Sequence, residues 1–280
     1  MPALVIMAVL VAFPTLFLYY ISLTDYEMGY DLASANLVGI NNYVRLISGR
    51  DRVFWYSVAI SLLFMLVATM IEMILGYGLA SLLNQKEYKL KGLVFGCLVV
   101  PIAMTPSIAG QIWKLMLNSE YGVFNYLLNR LLHIKVTWLG PDMVFLSVIL
   151  IDIWQWTPYV ALILYSGLRA IPIESYETAA VEGASRWQSF CYVTVPMLKP
   201  VLLIAVLFRS IDCLKTFDIP YVLTQGGPGN LTEFMSLHIY RLGFAQTGFI
   251  GRAAAMSVIL SIIITVLSGF IIARMRKKEA

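Results

Sequence analysis

Long apolar runs constrain this chain more than any other feature of its sequence. One helical crossing of a bilayer needs about 20 apolar residues, and backbone amides in lipid must bond within their own helix. Only 13% of the residues are charged, against about 25% in soluble proteins. The sequence therefore predicts an all-α membrane protein with six transmembrane helices. The runs of span length are Leu4–Leu23, Phe54–Leu83, Leu93–Leu117, Met143–Leu168, Val201–Leu223 and Ala253–Arg274.

Basic residues near the span ends set the predicted orientation, because cytoplasmic loops carry an excess of Lys and Arg. They place both termini on the cytoplasmic side. No repeat or interdomain linker is visible, so residues 1–280 are predicted to form one domain. The predicted cytoplasmic set is Lys86, Lys89, Lys91, Arg169, Arg186, Lys199, Arg274, Arg276, Lys277 and Lys278.

The segment Glu174–Pro200 is the longest polar stretch between two spans on that side. A proline at its start favours a helix N-terminus, apolar residues recur at helical spacing, and Gly183 permits a left-handed stop. A second amphipathic helix is predicted over Ala184–Thr194, and Pro196 and Pro200 are expected to break it. Two such helices lie on lipid or dock a soluble protein, and the pattern alone leaves both open.

The spacing within this loop resembles the motif of permease subunits of ATP-binding-cassette (ABC) importers. That motif is Glu-Ala-Ala, three residues, Gly, nine residues, Ile-x-Leu-Pro. This chain has Glu177-Thr178-Ala179, Gly183 and Val193-Thr194-Val195-Pro196 at the same spacing, with mild changes at Thr178, Val193 and Val195. The segments TPYVALILYSGLRAIP, GASRW and YVLTQGGPGN are similar to maltose-type, binding-protein-dependent sugar permeases. The resemblance covers essentially the whole chain.

The resemblance implies a fold, partners and coupling residues. The fold is that of a type I ABC importer permease, with a cytoplasmic two-helix coupling loop over residues 171–200. The implied partners are a second homologous permease subunit, an ATPase homodimer that holds ATP and Mg, an extracytoplasmic substrate-binding protein and membrane lipid, but no nucleic acid. The implied location is the bacterial or archaeal cytoplasmic (inner) membrane, with several crossings. The residues implied in coupling to the ATPase are Glu174, Glu177, Ala179, Glu182, Gly183, Ala184 and Pro196.

Polar side chains within the spans predict a substrate path, because a charge at mid-bilayer costs roughly 2.5–3.5 kcal/mol on insertion scales and usually faces a cavity or a partner. Two helix faces carry them: Asp152, Gln155, Trp156 and Tyr159 in the fourth span, and Arg209, Asp212 and Thr216 in the fifth. Carboxylates, an amide and aromatic rings suit a sugar. The alternative is an ion pair of Arg209 with Asp212 or Asp152 that locks helices together. Glu72 is expected to be a helix–helix polar contact.

Sequence motifs for catalysis are missing. The chain has no G-x-x-x-x-G-K-[ST] phosphate loop, no HExxH and no G-x-S-x-G, so a non-catalytic subunit without its own cofactor or metal is predicted. The two histidines, His133 and His238, are predicted to be solvated loop residues. Cys97, Cys191 and Cys213 lie in or beside apolar segments and are predicted to pack as small residues without a disulfide.

The main hypothesis is a transmembrane permease subunit that forms part of the path for a sugar, polyol or oligosaccharide. Two alternatives stay open at this point. One is a stand-alone secondary carrier or channel, for which internal repeats are typical. The other is an ABC permease for a non-sugar solute such as glycerol phosphate. The sequence leaves open which solute is carried and which of two permeases supplies most of the contacts.

Overall fold

The fold is helical throughout the part of the chain that the structure, a computed structural model, describes: residues 2–85 and 91–276. Within these ranges the strand-like pairing is limited to an isolated bridge between Thr24 and Leu37. One 3-10 turn covers Leu32–Ser34, and π-helical turns cover Phe190–Thr194 and Arg241–Ala245. The α-helices are α1 (Pro2–Ser22), α2 (Asn41–Ile47), α3 (Arg52–Asn84), α4 (Lys91–Ala103), α5 (Pro106–Met116), α6 (Val123–Leu132), α7 (Val144–Arg169), α8 (Ile173–Val181), α9 (Arg186–Ser189), α10 (Val195–Leu214), α11 (Asp218–Thr224), α12 (Met235–Tyr240) and α13 (Ile250–Arg276).

Four helical segments in the described ranges are long and apolar enough to cross a bilayer: α3, α7, α13 and the continuous stretch Arg186–Leu214. The pair α4 and α5 adds a fifth if counted as one span, although the two helices meet at 98°. Helix α1 offers a shorter apolar segment, Ile6–Ser22. The count of six spans therefore stays a prediction. Four residues of the predicted cytoplasmic set lie outside the described residues: Lys86, Lys89, Lys277 and Lys278.

The third predicted span, Leu93–Leu117, is bent rather than straight. Thr105, between α4 and α5, is extended with φ −66° and ψ 140°. The cause is the ring of Pro106, which disfavours helical backbone in the residue before it and suits the first turn of the next helix. The break turns α5 away from α4 and onto α11, which is its main packing partner.

The second helix of the predicted coupling loop does not end at Pro196 and Pro200, and that part of the prediction is wrong. Helix α9 continues through the π-helical turn into α10, and the amide of Val195 donates to the carbonyl of Phe190. A proline lacks an amide donor and its ring crowds the preceding turn. A widened turn with i→i+5 bonding offers room for that ring. The loop and the fifth span thus share one helix, Arg186–Leu214.

The main helix contact of the core joins α3 to α7, and α10 packs against both. Gly76 allows the closest approach. A Cβ atom at this position would lie 2.6 Å from Cγ1 of Val160 on α7. The same three helices carry the buried polar residues Glu72, Asp152 and Arg209. The packing therefore brings together side chains that lie far apart in the sequence.

The prediction that His238 is a solvated loop residue is also wrong. His238 is buried on α12, where Nε2 lies 3.0 Å from Oδ2 of Asp51 and Nδ1 lies 3.2 Å from Oε1 of Glu233. Arg241 donates to the same glutamate. Asp51 also caps α3 by accepting from two amides of its first turn. This cluster ties α12 to the start of α3. Burial lowers the pKa of His238, but the two carboxylates outweigh it and raise that pKa to about 9.

The substitution His238→Asn should lower stability in a pH-dependent manner. Because the pKa in the folded state exceeds the unfolded value near 6.5, the stabilisation is complete below about pH 6.5 and is lost as pH rises through about 9. Its size is roughly 3 kcal/mol. Thermal unfolding of the purified protein from pH 6 to pH 9.5 should show a difference from wild type that shrinks as pH rises.

The matched control is His133→Asn. His133 is exposed and sits at the end of α6 with φ 55°, a conformation that asparagine tolerates. Its unfolding temperature should follow wild type at every pH. A deficit of His238→Asn that stays constant or grows with pH would contradict the assigned ion pairs.

Candidate functional site

A buried arginine joins three helices at the centre of the candidate site. The guanidinium of Arg209 on α10 donates from Nε to Oε2 of Glu72 on α3 at 2.6 Å and from Nη2 to Oε1 at 2.9 Å. Nη2 also donates to Oδ2 of Asp152 on α7 at 2.7 Å. Only 1% of the surface of Arg209 is exposed. The planar fork of an arginine suits such two-pronged pairing. Glu72 is thus a helix–helix polar contact, as the sequence predicts.

Two further residues complete the surroundings of the guanidinium. Sγ of Cys213 lies 3.2 Å from Nη2 of Arg209, and the ring of Trp156 lies 5.1 Å from the guanidinium carbon. Ligand atoms of Glu72, Asp152 and Cys213 lie within 4.8 Å of one another, a spacing that metal sites use. Here the guanidinium already supplies positive charge to both carboxylates, and a divalent ion would compete with it. The cluster is therefore best described as an ion-pair network.

This network forms one wall of a cleft of about 230 Å³. The cleft brings together five of the seven residues that the sequence predicts for the substrate path: Asp152, Trp156, Arg209, Asp212 and Thr216. Asp212 and Lys215 are exposed at its opening. The full lining is Pro106, Asp152, Trp156, Arg209, Asp212, Lys215, Thr216, Phe217, Asp218 and Ile219.

The other two predicted path residues lie outside this lining. Gln155 is buried, and its Nε2 donates to the carbonyl of Met104 at 3.0 Å. That bond supports the bend between α4 and α5. Tyr159 packs edge-on against Trp156, with ring centroids 6.0 Å apart. Tyr159 therefore contacts Trp156, which lines the cleft, whereas Gln155 bonds to the backbone at the bend between α4 and α5.

Part of the cleft wall was not predicted from the sequence. The predicted fifth span Val201–Leu223 is not one helix, since α10 ends at Leu214 and α11 starts at Asp218. Charged and polar residues interrupt the apolar run here, and an acidic first residue favours a new helix start. Asp218 also accepts from Oγ of Ser107 on α5 at 2.8 Å. The polar cluster around residue 215 was the available signal for this break.

In the predicted coupling loop, helix α8 ends in a Schellman turn. The amide of Ala184 donates to the carbonyl of Ala179 at 2.9 Å, and the amide of Gly183 to that of Ala180 at 3.1 Å. This pattern needs a left-handed residue, and Gly183 has φ +79°. The next helix starts with a capping box between Ser185 and Gln188. The spacing between Ala179 and Gly183 in the motif is therefore the spacing that this turn requires at the end of α8.

The outer surface of the loop is acidic and apolar at once. Val181 is 89% exposed, Trp187 70% and Tyr192 79%. A hydrogen bond of 3.1 Å between the hydroxyls of Tyr176 and Thr194 holds α8 against the π-helical turn. Exposed apolar patches of this kind mark interaction surfaces. Five of the predicted coupling residues are exposed in this loop: Glu174, Glu177, Glu182, Gly183 and Pro196.

Comparison with known proteins assigns the chain to a family. The sequence model of the family described as binding-protein-dependent transport system inner membrane component matches residues 1–277. The chain belongs to this family. It is a permease subunit of a binding-protein-dependent ABC transporter, and the predicted resemblance is confirmed.

Two curated relatives extend this assignment. The chain is 36% identical to the trehalose/maltose transport system permease protein MalF of Thermococcus litoralis, over 94% of this chain and 88% of the relative. It is 32% identical to the sulfoquinovosyl glycerol transport system permease protein SmoG of Agrobacterium fabrum, over 94% and 85%.

A solved structure shows the same fold. The match is to a bacterial ABC transporter involved in the import of the acidic polysaccharide alginate, with a TM-score of 0.83 at 20% identity. It covers 100% of this chain and 94% of the other. At this identity the likeness concerns the fold alone, which is the predicted type I importer permease fold.

Replacing the buried arginine should destabilise the protein strongly. Arg209→Met leaves two carboxylates buried without their partner, and breaking such a network typically costs about 3–5 kcal/mol. The triple variant Glu72→Gln, Asp152→Asn, Arg209→Met removes all three charges and should regain much of that loss, because a neutral replacement avoids the desolvated charge. The measurement is unfolding of purified protein by SDS titration.

Arg130→Met provides the matched control, since Arg130 is exposed on α6 and should change stability by less than about 0.5 kcal/mol. Wild-type stability of the single Arg209 variant would contradict a locking role. A triple variant as unstable as the single one would show that the packing of the guanidinium, rather than its charge, holds the helices.

Proposed function

We propose that this chain forms part of the translocation path for a neutral carbohydrate in a multi-pass importer of the bacterial or archaeal cytoplasmic membrane. The observation that carries the proposal is the cleft beside Arg209. Charged side chains at its opening adjoin an aromatic ring, Trp156, in an otherwise apolar bundle. A sugar presents both hydroxyl groups and apolar ring faces, and such a mixed lining suits both.

The charges of the cleft favour a neutral solute over a phosphorylated one. Three carboxylates, Asp152, Asp212 and Asp218, line it together with two cations, Arg209 and Lys215. Arg209 is already engaged with two carboxylates, so Lys215 is the cation of this lining left to meet an anion. This lysine lies among the exposed carboxylates of Asp212 and Asp218. A phosphate group would meet the exposed Asp212, whereas a hydroxyl group can donate to it. This argues against glycerol phosphate.

The relatives support the carbohydrate class. The names of the two curated relatives refer to trehalose, maltose and sulfoquinovosyl glycerol. All three contain sugar rings; trehalose and maltose are neutral, whereas sulfoquinovosyl glycerol carries a sulfonate. A stand-alone carrier or channel receives no support from this family.

Energy would come from partner subunits. We propose that the exposed loop surface docks an ATPase homodimer that carries ATP and Mg, that a second homologous permease completes the path within membrane lipid, and that an extracytoplasmic binding protein delivers the solute. No cofactor or catalytic group is assigned to this chain. The uninterrupted helix Arg186–Leu214 leads from the docking loop to Arg209. A displacement of the loop would therefore reach the cleft directly.

Substitutions in the cleft should slow uptake without loss of assembly. Asp212→Asn removes a charged acceptor at the opening, and the loss of a hydrogen bond of about 0.5–1.5 kcal/mol predicts a rate roughly two- to tenfold lower. The measurement is uptake into vesicles that contain the whole importer, with trehalose, maltose and glycerol 3-phosphate as test solutes.

Asp142→Asn is the matched control, because Asp142 is exposed outside the cleft and should leave uptake unchanged. Faster wild-type uptake of glycerol 3-phosphate than of either sugar would refute the proposed solute class. Equal uptake rates for wild type and Asp212→Asn would show that this carboxylate does not bind the solute.

The docking loop offers a second test through its backbone. Gly183→Val forces a branched residue into a left-handed conformation, which costs about 1–2 kcal/mol, although a Cβ atom there meets no other atom within 4 Å. Gly183→Asn keeps the conformation accessible. Valine should therefore reduce solute-stimulated ATPase activity and uptake severalfold, and asparagine should retain most of both. Full coupling in the valine variant would contradict a role of this turn in docking.

A further inference from the structure

A ladder of aromatic rings extends from the cleft toward the end of the bundle opposite the coupling loop. Phe217 stacks on Tyr221 with centroids 5.0 Å apart and planes 17° from parallel. Tyr240 meets Phe217 at 5.3 Å and Tyr221 at 5.5 Å, both edge to face. Phe244 continues the series at 6.1 Å from Tyr240. We define these four residues as the aromatic ladder.

The ladder is continuous with the cleft. Phe217, its first member, is itself part of the cleft lining. Trp156 and Tyr159 form a further aromatic pair within the cleft region. Rings therefore follow the route from the outermost member, Phe244, to the ion-pair network. The remaining lining close to Phe217 is polar, with Lys215, Thr216 and Asp218.

The ladder is not part of the hydrophobic core. Phe244 is 57% exposed, and the other three members are partly exposed. The two hydrophobic clusters of the described residues, and the side chains packed against them, include none of the four ladder residues. Exposed aromatic side chains in contact with one another provide surface for binding rather than for folding.

The tyrosine hydroxyls add a polar edge to this apolar surface. Tyr221 and Tyr240, whose ring centroids lie 5.5 Å apart, each carry a hydroxyl group on this surface. A phenol both donates and accepts. The surface thus offers ring faces for the apolar side of a pyranose and hydroxyls for its edge, which is the combination that a carbohydrate ring needs.

We infer that the aromatic ladder is a second binding subsite for carbohydrate rings, outside the cleft, that lets the importer accept oligosaccharides. This inference rests on the proposed function. A disaccharide is held by the cleft alone, whereas the further rings of a longer chain stack on Tyr240 and Phe244. The ladder therefore determines preference for chain length and not the ability to transport sugar.

The test compares chain lengths in the whole importer with its own binding protein. Initial uptake of maltose, maltotriose and maltotetraose is measured for wild type, Tyr240→Ala, Tyr240→Phe and Tyr121→Ala. Tyr121 is an exposed tyrosine outside the ladder and serves as control. We expect Tyr240→Ala to slow maltotetraose uptake roughly three- to tenfold, the size of one lost ring contact, and to leave maltose within twofold of wild type. Tyr240→Phe should keep most of the preference.

Three results would overturn the inference. Equal slowing of all three sugars would make Tyr240 a support of the cleft. Loss of the second permease from the purified Tyr240→Ala complex would assign the ladder to the subunit interface. Uptake rates of the three sugars that keep their wild-type ratios and values in Tyr240→Ala would show that the ladder does not bind the solute. In all three cases the wild-type importer still moves sugar, so the proposed function survives. A wild-type importer that transports none of the three maltose-series sugars and no trehalose would refute both the proposed function and this inference.

Discussion

The pairing of Arg209 with Glu72 and Asp152 is the interaction on which the rest of the structure depends. A guanidinium or a carboxylate in a water-poor interior is tolerated only with a partner. The three charges come from α10, α3 and α7, so all three helices must meet at one level and in one rotation. The contact between α3 and α7 at Gly76 satisfies the same requirement through packing. The cleft exists where this network leaves one side of the guanidinium next to Trp156.

A second charged cluster joins helices at the N-terminus of α3. Asp51, His238, Glu233 and Arg241 join the start of α3 to α12 and the π-helical turn that follows it. Tyr240 and Phe244 lie in that segment. Ion pairs at two levels of α3, its N-terminus and Glu72, therefore fix the position of this segment relative to the cleft. A loop held only by apolar contacts would place these rings less accurately.

One continuous helical segment, Arg186–Leu214, runs from the loop of residues 171–200 to the cleft. Two prolines occur near its start, and a helix of ordinary geometry would kink or stop there. The π-helical turn before Pro196 keeps it continuous. On the loop side, the Schellman turn at Gly183 closes α8, and the bond between Tyr176 and Thr194 holds α8 on the same helix. The exposed loop and the buried network thus lie along one continuous helix.

The sequence by itself determined the class of the fold and the helix end at Gly183, because both follow from local rules. Apolar runs in lipid must be helical, and a glycine that closes a helix is visible from spacing alone. It also located half of the residues that line the cleft, since a polar side chain within a span usually faces a cavity or a partner. Tertiary structure alone decided which acids Arg209 pairs with. The sequence offered Asp212 or Asp152 as the partner of this arginine. The mutual rotation of three helices instead brings Asp152 and Glu72 to the guanidinium and leaves Asp212 exposed. Tertiary structure likewise decided that Pro196 does not end a helix, that Gln155 serves a bend, and that His238 is buried, because each outcome depends on neighbours distant in sequence.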